Sequence, residues 1–233
     1  MSEQFDAIVM GAGQSGPFLA ARLASAGRKV ALIEREHLGG TCVNDGCTPT
    51  KTLVASARAA WAARHAAEFG VVLKGPVTVD MKAVKARKDK VVNASVRSLT
   101  DWLGGIATLE YIMGTGSFIS PTEVKVDKRV LTAPQIFINT GASAKLPDWP
   151  GLGDAGYLTN TSILQLDTLP GHLIIAGASY IGLEFAQIYA RFGSKVTVVE
   201  RGPRPASRED EDVSAAIRAI LEAEGVTFLF NTT

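Results

Sequence analysis

The chain has 233 residues, 46% hydrophobic and 20% charged, with a formal net charge of +1. That length buries a core of one or two domains, and the near-neutral balance excludes a basic nucleic-acid surface. Residues 1–6 carry no basic stretch and lead into no long apolar run, so no signal peptide is expected. Nor does any stretch approach the roughly 18 apolar residues of a membrane helix, which leaves the cytoplasm as the expected compartment.

In chain order, Ala7–Met10 is a short apolar run bounded by glycine, the pattern of a buried strand. Gly11-Ala12-Gly13-Gln14-Ser15-Gly16 follows as GxGxxG. Its first glycine permits a tight turn, its second lets backbone approach a pyrophosphate, and its third lets helix and strand pack closely. Residues 15–26 have helical apolar spacing with Gly27 as a stop, and residues 30–33 form a second strand ending at Glu34. There a carboxylate can accept from the ribose hydroxyls of a dinucleotide.

Residues 49–69 and 81–103 read as two long helices. Residues 109–139, rich in β-branched and aromatic residues and broken by Gly114, Gly116, Pro121 and Pro134, read as a strand meander. Prolines and glycines at 147–153 mark a boundary, placed within residues 147–159.

Beyond it the chain repeats itself. Residues 174–201 match residues 8–35 at 11 of 28 positions without a gap, including both outer glycines of the turn and the terminal acid, here Glu200. The second turn reads Gly177-Ala178-Ser179-Tyr180-Ile181-Gly182, with serine for the middle glycine. Glu200 would repel a 2′-phosphate, which favours NAD over NADP, while nearby Arg201 and Arg204 soften that preference. The expected fold is α/β, two Rossmann-like βαβ units, the first carrying an inserted helical pair and a β-meander. The expected domains are residues 1–150 and 151–233.

Cys42 and Cys47 are the only cysteines. So close a pair is redox-active or metal-binding. A metal would need further ligands, and the histidines are only His37, His65 and His172, so redox chemistry is favoured. Cys47 precedes an apolar-periodic stretch with Pro49 in its first turn, a position where a helix N-terminus lowers a thiol's pKa. Lys51 lies four residues on, along the same helical face.

GGTCVNDGCTPTK, residues 39–51, resembles the GGTCxNxGCxPxK signature of class I pyridine nucleotide-disulfide oxidoreductases. That family includes glutathione reductase, lipoamide dehydrogenase and mercuric reductase. The likeness extends through the first glycine turn, Thr140-Gly141-Ala142 and GASYIGLEFA, essentially the whole chain. It implies FAD on the first unit, touching Gly11, Gly13, Gly16, Glu34, Gly40, Thr41, Lys51, Gly116, Thr140 and Gly141. It implies NAD(P)H on the second, at Gly177, Tyr180, Ile181, Gly182 and Glu200, with the Tyr180 ring covering the nicotinamide pocket.

By the same resemblance Cys42 is the thiol that meets substrate and Cys47 the thiol against the flavin. The two form a reversible disulfide, and Lys51 pairs with Glu184 between the two dinucleotide units. Electrons pass from NAD(P)H through FAD to the Cys42–Cys47 disulfide and on to a disulfide or metal-ion substrate. Thr48 and Thr50 lean the comparison toward mercuric reductase.

Family members are homodimers about twice this long, with a later Gly-Asp segment at the flavin and an acid–base histidine in a C-terminal dimerisation domain. The expectation is therefore a truncated product or fragment that holds FAD loosely and turns over poorly. The alternative is a flavin- and nucleotide-binding module without turnover. A two-dinucleotide monooxygenase is disfavoured, since oxygen chemistry needs no cysteine pair.

Overall fold

The computed structural model describes residues 2–232. The chain forms β1 (Glu3–Gln4), β2 (Ala7–Met10), α1 (Gly16–Ser25), β3 (Val30–Glu34), α2 (Gly40–Asn44), α3 (Cys47–Arg64) and α4 (Met81–Gly104). Strands β4 (Leu109–Met113), β5 (Gly116–Ser120), β6 (Glu123–Val126), β7 (Arg129–Thr132) and β8 (Ile136–Ile138) follow. The remainder is β9 (His172–Ala176), α5 (Tyr180–Phe192), β10 (Lys195–Val199), α6 (Glu211–Ala223) and β11 (Val226–Leu229).

Packing divides the chain into two compact units, Met1–Pro49 with Asp89–Thr161, and Thr50–Lys88 with Ser162–Thr233. The division differs from the boundary read in the sequence. It falls at Thr161, and residues 50–88 belong with the second unit. An intact helical period says nothing about which core a helix serves, and this is why the sequence placed them with their neighbours in the chain.

In the first unit β4, β3, β2 and β8 lie side by side in that order, all parallel. Alternation along the strands sorts their side chains. Ala7, Val9, Val30 and Leu32 pack with Ala20, Ala21 and Ala24 of α1 and Leu103 of α4. Ile8, Met10, Ala31 and Ile33 face the other way, onto Val124, Val126 and Leu131 of β6 and β7. Both faces are covered, so the strands read as unbroken apolar runs. A one-residue slip would exchange the two faces.

The meander expected over residues 109–139 is only partly one. Strands β5, β6 and β7 are antiparallel. Strand β4 instead joins the parallel sheet beside β3, and β8 joins it beside β2. All five strands share the same residue preferences, and only their partners tell them apart. Arg129 of β7 forks onto Glu3 at 2.5 and 2.7 Å and reaches Glu110 at 2.8 Å, fastening β1, β7 and β4.

The second unit is a parallel sheet ordered β11-β10-β9. Leu183, Phe185, Ile188, Tyr189 and Phe192 of α5 pack on Leu173, Val196 and Val198, together with Leu53 and Ala57 of α3. Arg64, at the end of α3, donates to the carbonyls of Arg191 and Phe192, which the last turn of α5 leaves without helical partners. Arg191 in turn forks onto Glu224 just after α6, with both contacts at 2.6 Å. Among the described residues no helix is long and apolar enough to cross a membrane.

Tyr189 is fully buried and donates its hydroxyl to the Ile163 carbonyl at 3.1 Å. Burial pushes its phenol up to about 12. Tyr189→Phe leaves that carbonyl without its donor and is expected to cost about 1–2 kcal/mol in denaturant unfolding near neutral pH. A folded pKa above the unfolded value means stability that is whole below about pH 10 and lost as pH rises toward the folded value. The gap between wild type and Tyr189→Phe should therefore narrow by pH 11. A constant gap would contradict this account.

Candidate functional site

The first glycine turn leaves β2 at its C-terminal end. Gly11 has φ +100°, and a Cβ there would fall 2.1 Å from the Asn139 carbonyl oxygen. A Cβ on Gly16 would fall 2.0 Å from the Gly11 oxygen. Both glycines are therefore demanded by the protein's own packing. Gly13 differs. Its backbone is ordinary, and a Cβ there would meet only Asn139 Nδ2 at 3.7 Å. The fold does not need glycine at 13, so the missing side chain leaves room for something that is not protein.

Glu34 closes the turn from β3. Its Oε2 accepts the Ala12 N–H at 2.7 Å and its Oε1 accepts the Glu36 N–H at 2.8 Å. A carboxylate offers about four acceptor sites, so each oxygen retains one for a ribose hydroxyl. Asn139, which sequence reasoning did not single out, completes the turn. Its Nδ2 donates to the Gly11 oxygen at 3.1 Å, its Oδ1 accepts from Ser15 Oγ at 2.8 Å, and its N–H donates to the Met10 oxygen. Thr140 and Gly141 follow it out of β8 and are exposed. The crevice outside the carboxyl ends of parallel strands is where such sheets bind ligands. These residues fit a dinucleotide such as FAD there. Gly116 has a different explanation, since a Cβ on it would press on Met10 and Val124 of the core.

The second turn repeats the device. Glu200 Oε2 accepts the Ala178 N–H and its Oε1 the Gly202 N–H, both at 2.8 Å. Burial opposes ionisation of Glu200, but these donors and the Arg201 charge outweigh it and hold the carboxyl below its ordinary value. A Cβ on Gly182 would fall 2.3 Å from the Gly177 oxygen. Ser179 occupies the middle position with extended backbone at the start of α5. Tyr180 and Ile181 open that helix, both exposed. Arg204 is turned toward Ser207 and Glu211, at 3.3 and 3.9 Å.

Cys42 lies within the short helix α2, and Cys47 is the first residue of the long α3. They stand as free thiols, the reduced form of the expected disulfide, Cys42 half-buried and Cys47 exposed. Burial pushes the Cys42 thiol up, and a hydrogen bond with the Cys47 thiol adds to this. The Cys47 N–H, aimed at the Cys42 sulfur, works the other way. Glycines set this approach. A Cβ on Gly46 would fall 2.9 Å from the Thr41 oxygen and 3.3 Å from Cys42 Cα. Gly40, with φ +56°, lies so close to Gly13 that its Cβ would be 2.6 Å from the Gly13 Cα. The cysteine segment is thereby seated directly on the glycine turn.

Beside it lies a cavity of about 670 Å³, lined by Gln14, Pro17 and Phe18 at the start of α1, by Gly13, Gly39, Val43 and Thr48, and by Lys90, Val91, Ala94, Ser95, Ser98 and Leu99 of α4. Lys51, one turn along α3 from Cys47, is ion-paired with Glu184 of α5. That pair lies within the second compact unit, to which both residues belong, where the sequence reading had it bridge two domains. Among the described residues no three His, Cys, Asp or Glu converge as a metal site.

A family profile described as pyridine nucleotide-disulphide oxidoreductase matches residues 5–233. The chain is 37% identical over 235 residues to a probable pyridine nucleotide-disulfide oxidoreductase, RclA, of Escherichia coli K12, covering 98% of this chain and 49% of that protein. It is 34% identical to a dihydrolipoyl dehydrogenase of Acholeplasma laidlawii, covering 98% and 69%. It is also 34% identical to a mercuric reductase of Bacillus cereus, covering 98% and 36%. The solved Cu(II) complex of the HOCl-induced flavoprotein disulfide reductase RclA from Escherichia coli has a TM-score of 0.88 at 36% identity, over 99% of this chain and 50% of that one. The chain thus spans about half the length of RclA.

Two outcomes follow from the turns. Gly13→Ala should leave unfolding stability within about 0.5 kcal/mol of wild type while weakening FAD binding at least tenfold. Gly16→Ala should cost roughly 2 kcal/mol or more through the clash with Gly11. Equal FAD titration curves for wild type and Gly13→Ala would refute the reading of that glycine. Separately, a lowered folded pKa means that Glu200 contributes stability above its unfolded value, lost as pH falls through the folded one. Glu200→Gln should destabilise at pH 7, and the gap to wild type should narrow as pH falls below the ordinary carboxylate range in the same unfolding assay.

Proposed function

The chain belongs to the pyridine nucleotide-disulphide oxidoreductase family, and from that premise we propose that it carries the flavin and dithiol machinery of an enzyme passing two electrons from NADH to an acceptor through Cys42 and Cys47. The observation that carries this is the pair of free thiols, Cys42 in α2 and Cys47 at the start of α3, on a segment whose glycines seat it on a dinucleotide turn. Bound FAD supplies the two-electron carrier between nicotinamide and dithiol.

The chain's own residues have distinct tasks in this reading. The backbone of Gly11, Gly13 and Gly16 admits the pyrophosphate, and Glu34 takes the ribose. Gly40, Thr41, Thr140 and Gly141 border the same cofactor, and Gly116 supports the turn from the core. Lys51 would serve the flavin, as the family resemblance implies, and its ion pair with Glu184 would hold its side chain. An exposed ion pair contributes at most about 1 kcal/mol to stability, so orientation is the better account of this one.

On the second unit Gly177, Tyr180, Ile181 and Gly182 receive the nicotinamide dinucleotide. Glu200, held ionised by its two N–H donors, disfavours a 2′-phosphate, and Arg204 is engaged on the α6 side. This supports NADH over NADPH. The acceptor is a disulfide or a thiol-seeking metal ion, the mercury reading resting on Thr48, Thr50 and the mercuric reductase relative. Homodimeric assembly and a cytoplasmic setting, where thiols stay reduced, belong to the same proposal of the whole protein.

The test counts thiols. Protein reconstituted with FAD and mildly oxidised should lose two thiols per chain and regain both on anaerobic addition of NADH. Tenfold more NADPH than NADH should be needed for the same recovery. Cys42→Ser and Cys47→Ser should each abolish the cycle while still binding FAD. Binding of FAD and NADH with an unchanging thiol count would reduce the chain to a binding module and overturn the proposal.

A further inference from the structure

Met10, Met81 and Met113 are the methionines among the described residues, and only Met113 is open to solvent, 51% exposed against 7% and 5%. Met113 ends β4 beside Glu34 at the end of β3, and the two side chains share one face of the sheet. The next N–H, that of Gly114, donates to the Glu34 carbonyl at 2.8 Å and ties the two strand ends together. Tyr111, two residues back on the same face, donates its hydroxyl to the Met113 sulfur at 2.8 Å. Burial, and then the Glu34 charge, push that phenol up to about 12, so it stays a donor through the neutral range. All three residues belong to the first compact unit, and neither Met113 nor Tyr111 has a task in the electron path described above.

We infer that Met113 is a modification site, oxidised by peroxides to its sulfoxide, and that the oxidised form loosens FAD at the Glu34 end of the first dinucleotide turn. The inference rests on the flavin reading of the first unit and adds a control on it. The sulfur attacks one oxygen of the peroxide, and the O–O bond breaks. That oxygen stays on sulfur, while the other leaves as hydroxide and takes the proton left on the first, giving water. The thioether loses two electrons and the peroxide gains them.

Tyr111 gives this oxidation a direction. A thioether sulfur has two lone pairs, and the phenol occupies one. The oxidant finds the other, so oxygen enters from one side and a single sulfoxide epimer forms. The product changes the surroundings of Glu34. A polar S=O replaces an apolar side chain. It is a new acceptor beside a carboxylate that needs the ribose hydroxyls as donors, and the apolar contact offered to the adenosine is lost.

Peroxide treatment of the full chain, followed by dithiothreitol to restore the thiols, tests this. Peptide mass spectrometry should find one added oxygen on Met113 well before any on Met10 or Met81. Oxidised wild type should bind FAD about tenfold more weakly than untreated protein in a fluorescence titration, the loss of one apolar contact. Met113→Leu treated alike should keep its own untreated affinity, which separates the effect from damage to Cys42 and Cys47. Met113→Gln, polar and of similar length, should bind FAD weakly without any oxidant. Of the two methionine sulfoxide reductases, each specific for one epimer, a single one should restore wild type fully, whereas oxidised Tyr111→Phe should need both. Oxidation spread evenly over the three methionines, or FAD affinity unchanged once Met113 is oxidised, would overturn the inference. Equal need for both reductases in wild type would overturn the role of Tyr111. If untreated wild type and untreated Met113→Leu both fail to take up FAD, the flavin reading fails first and this inference with it, an outcome distinct from uptake that oxidation leaves unchanged.

Discussion

The molecule depends on one contact made twice, a carboxylate at the end of the second strand of each βαβ unit accepting an N–H from the turn after the first strand. Glu34 does this for Ala12 and Glu200 for Ala178. The turn must reverse with a left-handed glycine, φ +100° at Gly11 and +99° at Gly177. That geometry leaves an N–H with no strand or helix partner, and an unpaired buried donor is costly. The carboxylate satisfies it and ties the second strand to the turn in the same bond. Each acid also takes the N–H two residues onward, so it is held from both sides and keeps a fixed direction.

Around the first of these latches the rest of the unit is assembled by close approach of backbone to backbone. Gly16 lets α1 start against the Gly11 carbonyl, Gly40 lets the cysteine segment lie on Gly13, and Gly46 lets α3 begin against Thr41 and Cys42. None of these contacts tolerates a methyl group without movement. The glycines of the turn and of the cysteine motif are therefore two sides of one packed surface, although about 25 residues of chain separate them.

Those glycines and acids are what made the site readable. A residue forced by backbone geometry leaves its identity in the sequence, and a repeat that keeps glycine and glutamate in register can be found by inspection. Asn139 escaped because its partners lie 124 to 128 residues away and nothing local marks it. The cavity escaped because its walls come from three separate segments of chain. Strands β4 and β8 were read into a meander because strand propensity reports a half-buried pleat and not a partner. The pairing of Lys51 with Glu184 came from family resemblance, for no spacing rule connects residues 133 apart. Whether Cys42 and Cys47 are bonded is a redox condition, which residue order does not encode.

The approach set by Gly46 has a kinetic consequence. Two thiols held against each other by rigid backbone see one another at an effective concentration far above any solute thiol, and well-oriented intramolecular reactions reach about 10⁵ M or more. In the reaction proposed above, an adduct on Cys42 would therefore be claimed by Cys47 before a second molecule arrives, and both electrons would leave in a single encounter.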